Sequence, residues 1–307
     1  MSQDSIPRTH CFSLGDFHDF DRCVFRFFVN HHLGKKYELA EGSTNKVVGT
    51  LLDLALKKIH QTHAYGQPVE YLQNYLKAAE LEIREDVLKR GKLSFYGAQL
   101  PYLTPEVVEK AKEIFSSYHQ GIKGRFKKMV TTPTTKRIKP FWEVVLEGQT
   151  PLKMWGAPDA IEMGEDGIPE VVDYKYFEDQ EKGESNLDMD LMPKLYTLFC
   201  AAELQALGFS KARFVVRLWQ NPGNDAYYEE FDLSRMPSLT DFFKDKMERI
   251  LRTEELGFCN KEYCKVCQHK EKENWIKELK KQGWIKQGPS ELSSPTEESL
   301  ASSDLPF

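Results

Sequence analysis

Three charged residues stand at a spacing that can do hydrolytic chemistry: Asp159, Asp173 and Lys175. Asp159 follows Gly156-Ala157-Pro158 at a strand–turn boundary, and thirteen residues separate it from Asp173. Asp173 and Lys175 sit two apart in the apolar run Val171-Val172-Asp173-Tyr174-Lys175. A strand repeats every two residues, so both side chains share one face. Two ionic groups on a buried strand are costly unless they have a task. Paired carboxylates suit Mg²⁺ or Mn²⁺, which prefer hard oxygen ligands. Such an ion activates bound water and stabilises charge developing on a phosphate. A neighbouring lysine can orient or deprotonate the water, or neutralise that charge. A lone Asp-x-Lys is more often a solvent-face ion pair. The Pro-Asp on the preceding hairpin strand is what lifts this one above that reading.

The elements that must hold these residues follow from periodicity. Helical spacing of apolar residues covers Phe12 to Leu33, with Ser13 as a cap, and Lys46 to His60. A third helix runs from Thr104 to Phe126, with Pro105 at its first position. Strands are expected over Phe141–Leu146, Leu152–Glu162 and Glu170–Tyr176, separated by Glu147-Gly148-Gln149 and Gly164-Glu165-Asp166-Gly167. Helix returns over Leu187–Leu207, two strands follow at Arg213–Trp219 and Tyr227–Phe231, and Leu239–Leu251 is helical. About five strands carrying helices, after a helical front end, make an α/β fold. Residues 1–285 read as one domain.

The chain of 307 residues is 40 % hydrophobic and 29 % charged, with a net charge of −5. No apolar run reaches the ~18 residues of a membrane span, and no secretory signal precedes Arg8; a cytoplasmic location is expected. The negative total hides a basic stretch without an acid, Lys123, Arg125, Lys127, Lys128, Lys136, Arg137 and Lys139. It reads either as a solvated surface or as a track for phosphates, whose contacts weaken with salt. Of six cysteines, Cys259, Cys264 and Cys267 form C-x4-C-x2-C, and Cys23 lies far upstream. Clustered thiols in a chain of this kind suggest a metal. Zinc could take all four, or His269 in place of one. Cys11 and Cys200 read as an incidental and a core thiol.

The ordered set of segments resembles the PD-(D/E)xK nuclease superfamily in its RecB-like branch, from about Ser13 to Cys267. Ser13-Leu14, Phe17 and Cys23-Val24-Phe25-Arg26-Phe27 match the opening motif. Gly49-Thr50-Leu51-Leu52-Asp53 matches a Gly-x-x-x-His helix, with Asp53 in the place of the metal-reaching histidine. Glu143 fits the strand glutamate that precedes the first aspartate, and Tyr196 fits a Gln-x-x-x-Tyr helix whose glutamine is here Met192. The resemblance implies a restriction-endonuclease-like mixed sheet flanked by helices. It also implies a Mg²⁺- or Mn²⁺-dependent nuclease acting on single-stranded DNA or duplex ends, an exonuclease of repair, recombination or defence. Asp53, Glu143, Asp159 and Asp173 would hold the metal, with Lys175 beside them; Tyr196 and the basic stretch would meet nucleic acid. A subset of the branch, the CRISPR-associated adaptation exonucleases and AddB-type subunits, places one cysteine before the core and three after it on a [4Fe–4S] cluster. That implies the same role for Cys23, Cys259, Cys264 and Cys267, with zinc as the rival. The two replaced polar groups support a second reading, a degenerate nuclease fold kept as a DNA-binding scaffold.

Residues 286–307 are poor in large apolar residues and read as a disordered acidic tail. Its end, Ser302-Ser303-Asp304-Leu305-Pro306-Phe307, resembles the C-terminal tip of bacterial single-stranded-DNA-binding proteins. That resemblance implies docking on proteins that recognise such tips, or competition with DNA for the basic stretch.

Overall fold

The computed structural model describes residues 8–35, 42–91, 94, 96–137, 141–146, 151–179, 189–259, 261 and 264–285. The tail and Lys139 lie outside them. The fold is mixed α/β, with two sheets flanked by helices and a helical N-terminal part. No described helix is long and apolar enough to cross a membrane.

The chain enters through a short strand β1 (Cys11–Phe12), then α1 (Leu14–Arg22), α2 (Val24–Phe27) and one π-helical turn at Phe28–His32. Asp16 accepts from both the backbone N–H and the hydroxyl of Ser13, at 2.7 and 2.6 Å, which anchors the start of α1. Three helices follow: α3 (Thr44–Thr62), α4 (Val69–Arg90) and α5 (Pro105–Gly121). Helix α4 does not show in the apolar periodicity, because exposed Leu81 and Leu88 blur its stripe.

One sheet of about five strands is expected from the sequence; the described residues form two. In the first, β1, β3 (Leu152–Gly156) and β2 (Trp142–Leu146) lie in that order, β1 parallel and β2 antiparallel to β3. The second has the order β4 (Ala160–Met163), β5 (Pro169–Lys175), β6 (Lys211–Leu218), β7 (Asp225–Asp232), with β5 and β6 parallel. The parallel step needs a crossover, supplied by α6 (Met192–Ala206). Helices α7 (Met236–Leu251) and α8 (Lys272–Lys281) close the described chain.

The expected strand Leu152–Glu162 breaks at Ala157-Pro158-Asp159. Pro158 has no N–H to give a ladder, and the chain leaves one sheet for the other there. The break sets Asp159 between the two sheets. Gly156, just before it, permits close packing on α6: a Cβ there would stand 2.5 Å from the Phe199 ring. Gly156→Ala should therefore cost about 1–3 kcal/mol as an overpacked contact. A urea melt checks this, and an unchanged midpoint would show that the ring moves freely.

Strand β5 is buried on both faces. Val172 and Tyr174 join the core built by α3, α4 and α5, whereas Val171 joins the core with α6 and α7. On the first face a buried ionic network ties the layers together. Arg217 binds Glu162 and Glu170, reaches Asp225 at 3.0 Å, and Tyr174 donates to Glu162 at 3.0 Å. Glu162 is fully buried, so losing the guanidinium would strand two carboxylates out of water.

Candidate active site and cysteine centre

Asp173 and Lys175 occupy the C-terminal end of β5 on the α6 side, and their side chains pair at 2.6 Å. Asp159 is fixed by both its own backbone and that of β5: its N–H donates to the Val172 carbonyl at 3.0 Å, and its Oδ2 accepts from the Tyr174 N–H at 2.8 Å. The start of α3 overhangs this strand end, a Cβ at Gly49 standing 3.9 Å from Tyr176. One turn later Asp53 enters the same electrostatic group, its Oδ1 buried without a hydrogen-bond partner.

The charges report their crowding. Burial, and then Asp159, push the Asp53 carboxyl well above the usual range. Burial also raises Asp173 to about 6; Lys175 pulls it down and Asp159 pushes it up. Burial would discharge Lys175, but Asp173 and Asp159 outweigh it and hold the ammonium above its ordinary range. The lysine therefore stays charged, the form that neutralises a phosphate oxygen but cannot take a proton. About a third of its side chain, 31 %, remains accessible.

Tyr196 packs on Phe199 and Phe214 and is raised by burial and by Asp173, which puts it beside the carboxylates. Met192 is buried in the core, so that position supplies no polar group. Lys57, which the sequence reading passed over, acts on both Asp53 and Asp173. Its signal was available: four residues after Asp53, it shares that face of α3.

Glu143 is not brought to this group. It is exposed on β2 and pairs with Lys153 at 2.9 Å, lining a cavity of about 800 Å³ beneath α6 and α7. The strand break explains this, because it leaves β2 in the other sheet. The basic stretch also divides. Lys127 is spent on Glu170 at 2.8 Å, Lys123 takes a left-handed turn with φ 53° beside Arg125, and Lys128 runs along the edge of β4. Lys136 and Arg137 line a second cavity.

Mg²⁺ asks the protein for only one or two carboxylates. Asp159 and Asp173 are two such carboxylates, and Asp53 shares their electrostatic group with its Oδ1 unpartnered, so the donor chemistry suits such an ion.

The four cysteines converge as expected. Cys23, at the joint of α1 and α2, lies 3.5 Å from Cys267 and 4.0 Å from Cys264; Cys259 lies 3.8 Å from Cys267. All four sulfurs fall within 4.8 Å of one another, the one such group of three or more potential ligands among the described residues. Backbone pairing brings them there: the Phe25 N–H donates to the Gly257 carbonyl at 3.0 Å, and the Phe25 and Phe258 rings meet at 4.9 Å. His269 stays out, stacked on Trp275 with Nδ1 accepting from the Glu271 N–H. Thiolates 2.3 Å from one tetrahedral ion lie about 3.8 Å apart. The tetrad could hold a metal. Cys200 is a core thiol, raised by burial.

No curated protein matches this sequence. Among solved structures, the crystal structure of SSO0001 is 11 % identical, covering 80 % of this chain and 90 % of that one with a TM-score of 0.25. Rai1 from Scheffersomyces stipitis, in complex with (3'-NADP)+ and calcium ion, is 13 % identical over 77 % and 67 %, with a TM-score of 0.20. The profile of the PD-(D/E)XK nuclease superfamily matches residues 12–271, nearly the whole described chain, including Asp53, Asp159, Asp173, Lys175 and the cysteine tetrad, and the chain belongs to that superfamily.

Proposed function

We propose that this protein is a Mg²⁺- or Mn²⁺-dependent deoxyribonuclease whose centre is Asp159, Asp173 and Lys175, with Asp53 as an added ligand. The observation that carries this reading is the crowding of Asp53, Asp159 and Asp173, two of them driven up in pKa, around one charged lysine. Carboxylates that destabilise one another in this way invite a cation. A bound Mg²⁺ or Mn²⁺ would activate water and take up charge on the scissile phosphate. The Tyr174 N–H orients Asp159, Lys175 meets the non-bridging oxygen, and Tyr196 walls the site. The cysteine tetrad stands apart as a zinc staple.

Labelled single- and double-stranded DNA, incubated with Mn²⁺ and with EDTA, tests the reading. Cleavage is expected with Mn²⁺ alone, and mononucleotide products would identify an exonuclease. DNA binding without cleavage would favour the scaffold reading, which the buried Met192 supports.

A further inference from the structure

The cavity at the far end of α3 has no role in the chemistry above. It measures about 350 Å³ and is lined by His60, His63, Thr131, Thr135, Lys136 and Arg137, with Gln61 and Met129. No acid is among its lining residues. His60 is 2 % exposed, and neither of its ring nitrogens has a hydrogen-bond partner; the nearest carboxylate oxygen, on Glu162, is 3.7 Å away and belongs to the Arg217 network. Among the described residues Lys136 and Arg137 form no ion pair, unlike Lys127. We propose that this cavity is a phosphate subsite that holds a backbone or terminal phosphate of the nucleic-acid strand engaged at Asp159 and Asp173.

Two features place it on the path of such a strand. Along α3, His60 follows Asp53 by seven residues, two turns, so both lie on nearly one face about 10.5 Å apart, with Lys57 between them. A strand stacked at 3.4 Å per nucleotide covers that distance in about three nucleotides. On the opposite wall, Met129 bridges Glu162, and the Val130 N–H donates to Ile161 at 2.7 Å. The pairing is antiparallel, so the following residues run back along β4 towards Asp159. A buried turn then fixes their direction. The Thr132 and Thr135 backbone N–H groups donate to each other's hydroxyls at 2.7 and 3.1 Å, and the Thr134 hydroxyl donates to Glu203 on α6 at 2.5 Å. Lys136 and Arg137 emerge from that turn with their backbone N–H groups bonded to the Thr132 and Thr134 carbonyls, at 3.2 and 3.0 Å, and their side chains exposed at the cavity.

The inference rests on the nuclease reading for the identity of the strand, but binding tests it without cleavage. A short single-stranded oligonucleotide, with either a 5'-phosphate or a 5'-hydroxyl, is titrated in Ca²⁺ across a range of salt. Lys136→Gln/Arg137→Gln should weaken binding about tenfold and lower the salt slope by about 1.4, two single-strand contacts at about 0.7 each. Lys123→Gln/Arg125→Gln makes the same change in charge and should cost less than half as much in slope. Loss confined to the 5'-phosphorylated strand marks a terminal-phosphate site, and loss with both marks an internal one; each supports the subsite. Equal losses from both double variants, or no loss from the first, overturn it. Wild-type binding without cleavage in Mn²⁺ would sink the nuclease reading and leave the subsite standing.

Discussion

Asp173→Asn is expected to abolish cleavage and, in the metal-free protein at pH 8, to raise the melting temperature. The first effect follows from position. Asp173 shares a strand face with Lys175, 2.6 Å away, and lies in the electrostatic group of Asp53 and Asp159. Removing one electrostatic stabiliser of a transition state costs at least ~10²-fold in rate, and Lys175→Ala should do the same. The second effect has a sign that can be checked. Burial raises Asp173 to about 6, above the ~4 of an unfolded aspartate. The folded state then binds the proton more tightly than the unfolded one, so ionising this group costs stability. The cost is full above about pH 6, fades as pH falls towards 4, and is absent below. The variant should therefore melt higher than wild type at pH 8 in EDTA and converge with it near pH 4. Saturating Mn²⁺ should reverse the order, because only the wild type gains from binding the ion. A melting temperature that falls at pH 8 would mean that the Lys175 pair outweighs the crowding. Unchanged cleavage would remove Asp173 from the site.

The active strand was legible because its signal is local. Asp173 and Lys175 are two apart on an apolar run, and β5 formed at nearly the expected bounds. Asp53 was found by motif, since Gly49 to Asp53 is one helical turn. Glu143 was misplaced because sequence order does not say which sheet a strand joins. The break at Pro158 sends β3 and β4 into different sheets, and only the pairing registers reveal it. Arg217, Glu162 and Glu170 were invisible for a related reason: each is a single charge in a strand, and their partnership spans three strands and more than forty residues. The cavity by His60 was hidden likewise, since the side chains that line it come from the end of α3 and from the segment after β4's edge partner. The cysteines were the easier case, because thiolates have few reasons to cluster other than a metal.

Cys23→Ser is expected to release the metal and lower the melting temperature by at least about 4 °C, although it lies 244 residues from Cys267, its thiol partner at 3.5 Å. Purified protein should be colourless and carry one zinc per chain, since the sulfur pairs at 3.5, 3.8 and 4.0 Å lie near the spacing around one tetrahedral ion. A brown preparation containing four irons would show that the tetrad opens to take a cluster. The size of the loss comes from what the link closes. A cross-link over a loop of that length removes on the order of 5 kcal/mol of unfolded-state entropy in the chain-entropy model, and metal affinity is itself folding free energy where no site exists in the unfolded chain. Part of that is offset, because the Phe25–Phe258 contact and the Phe25–Gly257 hydrogen bond hold the same ends together without the ion. About 2–3 kcal/mol should remain, and each kcal/mol shifts a domain of this size by roughly 2–4 °C. Cys264→Ser and Cys267→Ser should match Cys23→Ser, and chelation of the wild type should reproduce all three. Cys11→Ser, on β1 and outside the tetrad, should keep its metal. Cleavage in each variant then separates a staple from a reaction partner: a staple-only role leaves activity intact below the lowered melting temperature. Metal retained in Cys23→Ser, or an unchanged melt after chelation, would sink the link between the two ends of the chain.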